Sequence, residues 1–301
     1  MDYHGKPYYS LDAWCKNTYG EKLYKIALDA GLTCPNRDGT LDSRGCIFCS
    51  AGGSGEFAAG RLCKAEPADG PFSIREQLEA GKKLLEKKKT GRRYIAYFQA
   101  YTNTYGPVDY LASIYRQALM EPDIAGISIA TRPDCLGTEV MRLLASLKQD
   151  FPDKFIWIEL GLQTIHEKTA QYIRRGYRLS CFDQALENLR KRNIEVIVHT
   201  ILGLPGESRE EILETMRYLN KKDIQGIKLQ LLHVLKGTDL AYDYLAGRFQ
   251  VYEREEYLDL LIECLENLDP EIVIHRITGD GPKDLLIAPL WASRKREVLN
   301  L

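Results

Sequence analysis

The sequence predicts an α/β protein in which parallel strands alternate with helices. Six short β-branched or aromatic runs recur at intervals of roughly forty residues, and amphipathic helices with recognisable start signals lie between them. Polar residues also collect where the runs end. Parallel strands joined by right-handed crossovers form either a doubly wound sheet or a complete or partial barrel, and both arrangements agree with this pattern.

The six runs are too short for helices, and their composition favours strands. We predict strands at 24–30, 94–100, 126–130, 155–160, 196–202 and 227–234. Three intervening helices begin with the capping-box pattern, a hydroxyl followed three residues later by a glutamate. These pairs are Ser73 with Glu76, Thr164 with Glu167, and Ser208 with Glu211. Pro107 suits a first helical position.

The alternation changes after residue 240, where a helix (253–269), a strand (272–277) and an irregular tail follow. We therefore predict a core over 1–240 and a C-terminal α/β extension over 241–301 that packs on it. The chain has 301 residues, of which 45% are hydrophobic and 28% charged, as in ordinary globular proteins. No apolar run approaches the roughly 18 residues of a membrane span. The N-terminus does not begin a signal peptide, so we predict a cytoplasmic protein without membrane contact.

The net charge of −1 excludes a global electrostatic field that would attract nucleic acid. Any RNA binding must come from local basic groups, which lie at 82–93, 174–175, 190–192 and 294–296. Each of these groups is most simply a solvated helix end, although together they could form a path that follows phosphates.

Three of the eight cysteines form a dense group, Cys34, Cys46 and Cys49, just after the first predicted strand. Structural zinc takes four ligands, whereas three thiolates can hold a cubane iron–sulfur cluster and leave one iron open to a small molecule. Cys63 or a histidine could complete a zinc site instead. Cys63 and Cys15 are near enough in sequence to act as spare ligands, although single cysteines are more often buried.

The other strand ends are unusually polar, and in a parallel fold they meet at one mouth. They carry Gln99 and Asn103, then 131–134, then Glu159 and Gln163, then His199 with 201–206, and lastly His233. A carboxylate within the apolar fourth strand is costly to bury unless it is paired, which favours a functional role for Glu159. His199 and His233 are equally well explained as satisfied core histidines.

These segments together resemble the radical S-adenosylmethionine (SAM) superfamily. The cysteine loop and the runs YFQAYTNTY, ATRPDCL, ELGLQT, GLPGE and HRITGDGP are similar to a small bacterial family within it. That family is related to the Elongator catalytic subunit and to oxygen-independent coproporphyrinogen oxidase. Most members have C-x3-C-x2-C with an aromatic residue before the last cysteine. Here Phe48 is that aromatic residue, but eleven residues separate Cys34 from Cys46.

The resemblance implies a parallel partial (β/α)6 barrel of radical SAM type with a C-terminal α/β cap. It also implies a [4Fe–4S] cluster on the three cysteines and a SAM molecule that chelates the fourth iron. Reductive cleavage of SAM would then yield a 5′-deoxyadenosyl radical that abstracts hydrogen from the substrate. The implied cofactor contacts are Phe48, Gln99, Asn103, Glu159, Gln163, Arg175, His199, Ile201 and His233.

Individual roles follow from the same resemblance. Gln99 and Asn103 would bind the SAM amino group, and Glu159 and Gln163 the ribose hydroxyls. Arg175 would hold the SAM carboxylate, since a guanidinium suits bidentate binding. The stretch 201–206 would approach the adenine. Two positions depart from the pattern of relatives: His199 replaces a glycine, and Ala130 replaces a glutamate.

The resemblance further implies a tRNA substrate, modified on a wobble uridine side chain, and a flavodoxin or ferredoxin reductant. The tail residues His275, Arg276, Thr278, Asp280 and Lys283 would then contact substrate. Two alternatives remain open at this point. One is a radical SAM enzyme that acts on a small metabolite or a porphyrin-like substrate. The other is a zinc-stabilised, non-enzymatic nucleic-acid-binding module.

Overall fold

A computed structural model of the chain describes residues 2–59, 73–86, 91–279 and 281–294. Within these residues, seven parallel strands form one sheet, and each strand pairs with the next in chain order. The sheet is open, so the seven strands make a partial barrel. They are β1 (Tyr24–Leu28), β2 (Tyr94–Phe98), β3 (Ile124–Thr131), β4 (Phe155–Gln163), β5 (Glu195–Leu202), β6 (Gly226–Leu231) and β8 (Val273–Arg276).

Helices connect the strands and cover the outer face of the sheet. In chain order they are α1 (Leu11–Tyr19), α2 (Ile74–Glu86), α3 (Val108–Met120), α4 (Thr138–Asp150), α5 (Glu167–Tyr172), α6 (Leu179–Arg190), α7 (Arg209–Leu219), α8 (Asp239–Leu245) and α9 (Arg254–Glu266). Their apolar sides and the strands form one large core. Because the helices occupy one face, the polar residues on the other face of the sheet point into the barrel.

The strand predicted within 272–277 joins the main sheet. It pairs in parallel with β6, through Gly226 with Val273 and Ile227 with Ile274, and so becomes the seventh strand of the sheet. The predicted sixth strand is also shorter than expected. It ends at Leu231, and the next short strand β7 (Val234–Leu235) pairs antiparallel with β9 (Leu286–Ala288) instead. The division of the chain at residue 240 stays a prediction.

One of the three predicted capping boxes is wrong. Helix α5 begins at Glu167 rather than just after Thr164, and the hydroxyl of Thr164 accepts a hydrogen bond from the backbone N–H of His166 (3.0 Å). The carboxylate of Glu167 instead accepts from the N–H of Leu179 (2.6 Å), at the start of α6. The capping pairs Ser73 with Glu76 and Ser208 with Glu211 are confirmed.

Pro107 is the N-cap of α3 rather than its first residue. In the described ranges, no helix combines the length and the apolar composition that a membrane crossing requires.

Candidate active site

The loop after β1 brings Cys34, Cys46 and Cys49 to one cavity at the carboxyl ends of the strands, which we call the first cavity. Two residues of the eleven-residue gap secure this loop. Asn36 donates through Nδ2 to Sγ of Cys46 (3.4 Å), and Arg37 donates through Nη2 to the carbonyl of Cys49 (2.7 Å). The long gap therefore supplies its own contacts to the other two cysteines.

The three thiols face one cavity, as a cubane cluster held by three thiolates requires. Burial raises the pKa of the Cys46 thiol to about 12, so binding of a metal there must displace a proton. Within the part of the chain that the structure describes, no three His, Cys, Asp or Glu side chains are placed to hold one metal ion.

The two spare cysteines have different outcomes. Cys15 lies in α1 and is fully buried among apolar residues that include Leu23, Ile95 and Trp157. It is therefore a core residue and does not line the first cavity. Cys63 lies outside the described residues.

Six of the nine predicted cofactor contacts line the first cavity, namely Phe48, Gln99, Glu159, Gln163, Arg175 and His199. Ile201 and His233 line an adjoining second cavity, which shares Phe48, Gln99, Gln163 and His199 with the first.

Asn103 does not line the first cavity. It is fully buried, and its amide donates to the carbonyls of Phe98 and Ala130 (both 3.1 Å), so it ties the end of β2 to the end of β3. The predicted contact of Asn103 with the SAM amino group is thus not favoured.

Glu159 lies on the floor of the first cavity, where donors from four other strands surround its carboxylate. They are Nζ of Lys25 (2.5 Å), Oγ of Ser128 (2.7 Å), Nε2 of His199 (2.7 Å) and Nζ of Lys228. Burial alone would raise the pKa of Glu159, but the charges of Lys228 and Lys25 outweigh it and hold that pKa well below its usual value. These hydrogen bonds already occupy the carboxylate of Glu159, which the family resemblance assigned to the ribose hydroxyls of SAM.

His199 is neutral at neutral pH. Burial, together with the charge of Lys228, lowers its pKa to about 4, and the hydrogen bond to Glu159 offsets only part of that shift. A neutral imidazole that faces an ionised carboxylate donates through Nε2, which leaves Nδ1 as an acceptor.

Arg175 does not present a free guanidinium. Its side chain is 1% exposed, and it donates to the carbonyls of Leu162 (3.1 Å), Thr164 (2.6 Å) and Tyr177 (3.0 Å). These bonds fix the turn after β4. Because Nε and Nη1 are both used, the bidentate grip on the SAM carboxylate predicted from the sequence is absent from this arrangement.

Arg37 and Arg132 also line the first cavity, and the sequence analysis did not single them out. Arg132 is held by both oxygens of Asp134 (2.9 and 2.7 Å). Arg37 donates through Nη2 to the carbonyls of Cys49 and Ser50, and its guanidinium also interacts with the thiol of Cys49. Its charge therefore lies directly beside one of the three cysteines. The sequence could have indicated Arg37 through its position, since it places a cation three residues after Cys34.

Gln163 ends β4 in the left-handed region, with φ +63°, a conformation that is uncommon for a residue other than glycine. Its Oε1 accepts from the hydroxyl of Tyr177 (3.1 Å), and its side chain borders both cavities. Such strain is concentrated at functional sites, which supports a role for this residue.

The predicted substrate contacts of the tail are dispersed. His275 packs edge-on against Trp157 (5.0 Å between ring centroids) and does not line either cavity. Thr278 is buried, and Lys283 borders a separate surface depression. Arg276 alone of the described members of this set lines the second cavity, and Asp280 lies outside the described residues.

A partial barrel with three thiols at the carboxyl end of its first strand is typical of one class of enzymes, and comparison with protein-family models identifies the same class. Residues 43–219 match the model of the radical SAM superfamily, and residues 224–301 match that of the radical SAM C-terminal domain. The chain belongs to the radical SAM superfamily. The match begins after Cys34, as expected if the eleven-residue gap departs from the family pattern.

The chain is similar to several known proteins. It is 44% identical to YtqA of Bacillus subtilis, over 98% of this chain and 88% of that protein. It is 30% identical to the tRNA uridine(34) acetyltransferase of Dehalococcoides mccartyi, over 58% of this chain and 38% of that protein. Its fold is similar to that of the archaeal Elp3 of Methanocaldococcus infernus (TM-score 0.65, 16% identity), over 92% of this chain and 62% of that one.

Family membership makes the chain a radical SAM enzyme, with a [4Fe–4S] cluster and SAM as cofactors. The expected partial barrel is confirmed. A non-enzymatic zinc module is accordingly wrong as a description of this chain.

Proposed function

We propose that Cys34, Cys46 and Cys49 hold the [4Fe–4S] cluster and that SAM binds beside it in the first cavity. When bound, these cofactors supply reductive cleavage of SAM and abstraction of a hydrogen atom from an unreactive C–H bond. Gln99 and Gln163 border both cavities and would orient SAM toward the substrate. Arg37, which lines this cavity beside Cys34 and Cys49, would bind the SAM carboxylate in place of Arg175.

We further propose that the substrate is a tRNA, modified on the side chain of the wobble uridine. The similarity to a tRNA uridine(34) acetyltransferase carries this proposal, because the name of that relative states a substrate. The likeness of the fold to archaeal Elp3 agrees with it. A low-potential flavodoxin or ferredoxin would reduce the cluster, and tRNA as substrate would place the reaction in the cytoplasm.

Anaerobic reconstitution followed by a 5′-deoxyadenosine assay, with and without bulk tRNA, tests both parts of the proposal. We expect a brown protein with broad absorbance near about 400 nm and roughly four irons per chain. We also expect tRNA to raise 5′-deoxyadenosine formation, and Cys49→Ala to abolish both colour and product. A coloured enzyme that cleaves SAM but does not respond to tRNA would refute the tRNA substrate and favour a small metabolite.

A further inference from the structure

The second cavity extends from the first toward the strand that the C-terminal segment adds to the sheet. Tyr97, Gln99 and His199 border both cavities, whereas Lys228, Gln230 and Arg276 border only the second. A substrate that enters the second cavity would thus lie next to whatever binds beside the cysteines.

Arg276 is placed in this cavity by the pairing of β8 with β6. A register shift after Ile227 sets Arg276 opposite Lys228, and its Nη1 donates to Oε1 of Gln230 (2.9 Å). No carboxylate of the described residues lies within ion-pair distance of the guanidinium. The side chain is partly exposed and lines the second cavity, and Gln230 is the one hydrogen-bond acceptor given for it among the described residues.

Several charged side chains surround this position. The carboxylate of Glu159 is shared by two lysines, Lys25 and Lys228, both within ion-pair distance. Arg276 adds a further cation, and its charge contributes to the lowered pKa of His199. Glu56 borders the same cavity, and the hydrogen bond that it accepts from the neutral hydroxyl of Ser50 leaves its negative charge in place. Burial lowers the pKa of Lys228 well below its usual value, so an anion on this floor would be bound by the charge of Arg276 rather than by that of the lysine.

We propose that Arg276 binds an anionic group of the substrate, a carboxylate or a phosphate, in the second cavity. Guanidinium groups bind both oxyanions through paired N–H bonds, and the contact with Gln230 fixes the orientation of the fork. The proposal rests on the proposed function for the carrier of this group, a tRNA. Arg276 then determines which substrates the enzyme accepts, and it takes no part in the hydrogen abstraction.

The first test compares the reconstituted wild type with Arg276→Gln, Arg276→Lys and Arg217→Gln. Arg217 is an exposed arginine of α7 that pairs with Glu210, so its replacement makes the same change of charge away from the cavity. We expect Arg276→Gln to raise the KM for tRNA about tenfold, with kcat changed less than twofold. Arg276→Lys should recover part of that loss, and Arg217→Gln should match the wild type. Unchanged KM in Arg276→Gln, or a loss in kcat alone, would overturn the proposal.

The source of the anion is distinguished with tRNA whose carboxylates have been converted to amides by carbodiimide and methylamine. If the group is a carboxylate, the wild type should show the tenfold higher KM with amidated tRNA, and Arg276→Gln should show no further change. If it is a phosphate, amidation should have no effect. The dependence of log KM on log salt should then be weaker by about one unit in Arg276→Gln.

A second measurement separates this proposal from that of the tRNA substrate. Thermal unfolding of each variant is followed with added inorganic phosphate and, separately, acetate, with cluster absorbance as the check that each variant is intact. We expect at least one anion to raise the Tm of the wild type and of Arg217→Gln more than that of Arg276→Gln. Equal increases in all variants would refute the anion site even if tRNA proves to be the substrate. A wild type that ignores tRNA but shows the difference would refute only the tRNA.

Discussion

The carboxylate of Glu159 lies inside the barrel with donors from Lys25, Ser128, His199 and Lys228 around it. Burying these charges costs desolvation energy, which their mutual attraction and their hydrogen bonds offset. Removing one partner leaves the others buried without compensation. The stability of the protein is therefore more sensitive to the loss of Glu159, the single anion of this group, than to the loss of a neutral donor.

Replacing Glu159 by glutamine should destabilise the protein by about 3–5 kcal/mol, because two lysines lose their carboxylate. The matched control is Ser128→Ala, which removes one hydrogen bond to the carboxylate of Glu159 and should cost about 1 kcal/mol. Urea unfolding at pH 7 measures both. Similar losses in the two variants would mean that the charge of Glu159 matters little to folding.

The titration of His199 should make the free energy of unfolding depend on pH. Its pKa is lowered from 6.5 to about 4 in the folded chain, so between these values the unfolded chain binds a proton that the folded chain does not. Stability is therefore intact above pH 6.5 and falls as the pH drops toward 4, by a total on the order of 3 kcal/mol. His199→Gln keeps a donor for Glu159 but cannot titrate. Urea midpoints measured from pH 7 to pH 4.5 should fall less steeply in the variant, and parallel slopes would contradict this account.

Cys34 is the least standard of the three proposed ligands, since it lies before the part of the chain that matches the family. Replacing it by alanine should remove the broad absorbance of the reconstituted cluster and most of the bound iron. The control is Cys15→Ala. Because Cys15 is buried in the core group around Trp157, its replacement should leave the iron content unchanged. Retention of a full cluster in Cys34→Ala would identify another third ligand, and Cys63→Ala would then be tested in the same way.

At the scale of elements, the eleven residues between Cys34 and Cys46 do more than lengthen the loop. They carry Asn36 and Arg37, which bond Cys46 and the backbone of Cys49. Donors and positive charge near the cysteines of an iron–sulfur cluster favour its reduced, more negative state and so raise its reduction potential. The gap thereby provides electrostatic contacts to two of the three proposed ligands.

Arg37→Ala should accordingly lower the reduction potential of the cluster by an amount on the order of 60 mV, a tenfold change in a one-electron equilibrium. Arg37→Lys should recover part of it. Arg44→Ala serves as the control, since Arg44 lies in the same loop but is exposed and bonds Asp42. Anaerobic potentiometric titration followed by electron paramagnetic resonance gives the potentials. Equal potentials in the Arg37 and Arg44 alanine variants would show that Arg37 acts only on the loop.

Local sequence determines some elements and leaves others open. The strands could be predicted because short apolar, β-branched runs are typical of strands buried in a parallel sheet. The N-cap at Ser208 could be predicted because its partner Glu211 lies only three residues further along the chain. The cap predicted at Thr164 failed because Gln163, with its positive φ, turns the chain and Glu167 bonds a distant helix instead. A side chain that finds a better long-range partner overrides the local signal.

At the scale of the whole molecule, the cysteine group and the meeting of polar strand ends could be predicted from the residues, whereas the partial barrel followed only from the family resemblance. The charged interior could not be predicted. Lys25 and Lys228 resemble solvated strand residues, and only the closure of β1 and β6 around β4 brings them to Glu159. The position of Arg276 likewise depends on the pairing of β8 with β6, over a separation in sequence that no local pattern specifies.

Because β8 completes the sheet, the C-terminal segment should fold together with the barrel. Leu260 of α9 is fully buried in the main core, so Leu260→Ala should destabilise the chain by about 2–5 kcal/mol. Ile262 on the same helix is 52% exposed, and Ile262→Ala should cost much less. Hydrogen exchange pulsed at each urea concentration reports β2, β3 and β4, which do not pair with β8, and circular dichroism reports the whole chain. We expect one transition, seen by both probes and shifted together by Leu260→Ala, since cooperative unfolding gives coincident curves. An exchange transition of β2, β3 and β4 that ignores Leu260→Ala would show instead that residues after 240 fold as an independent unit.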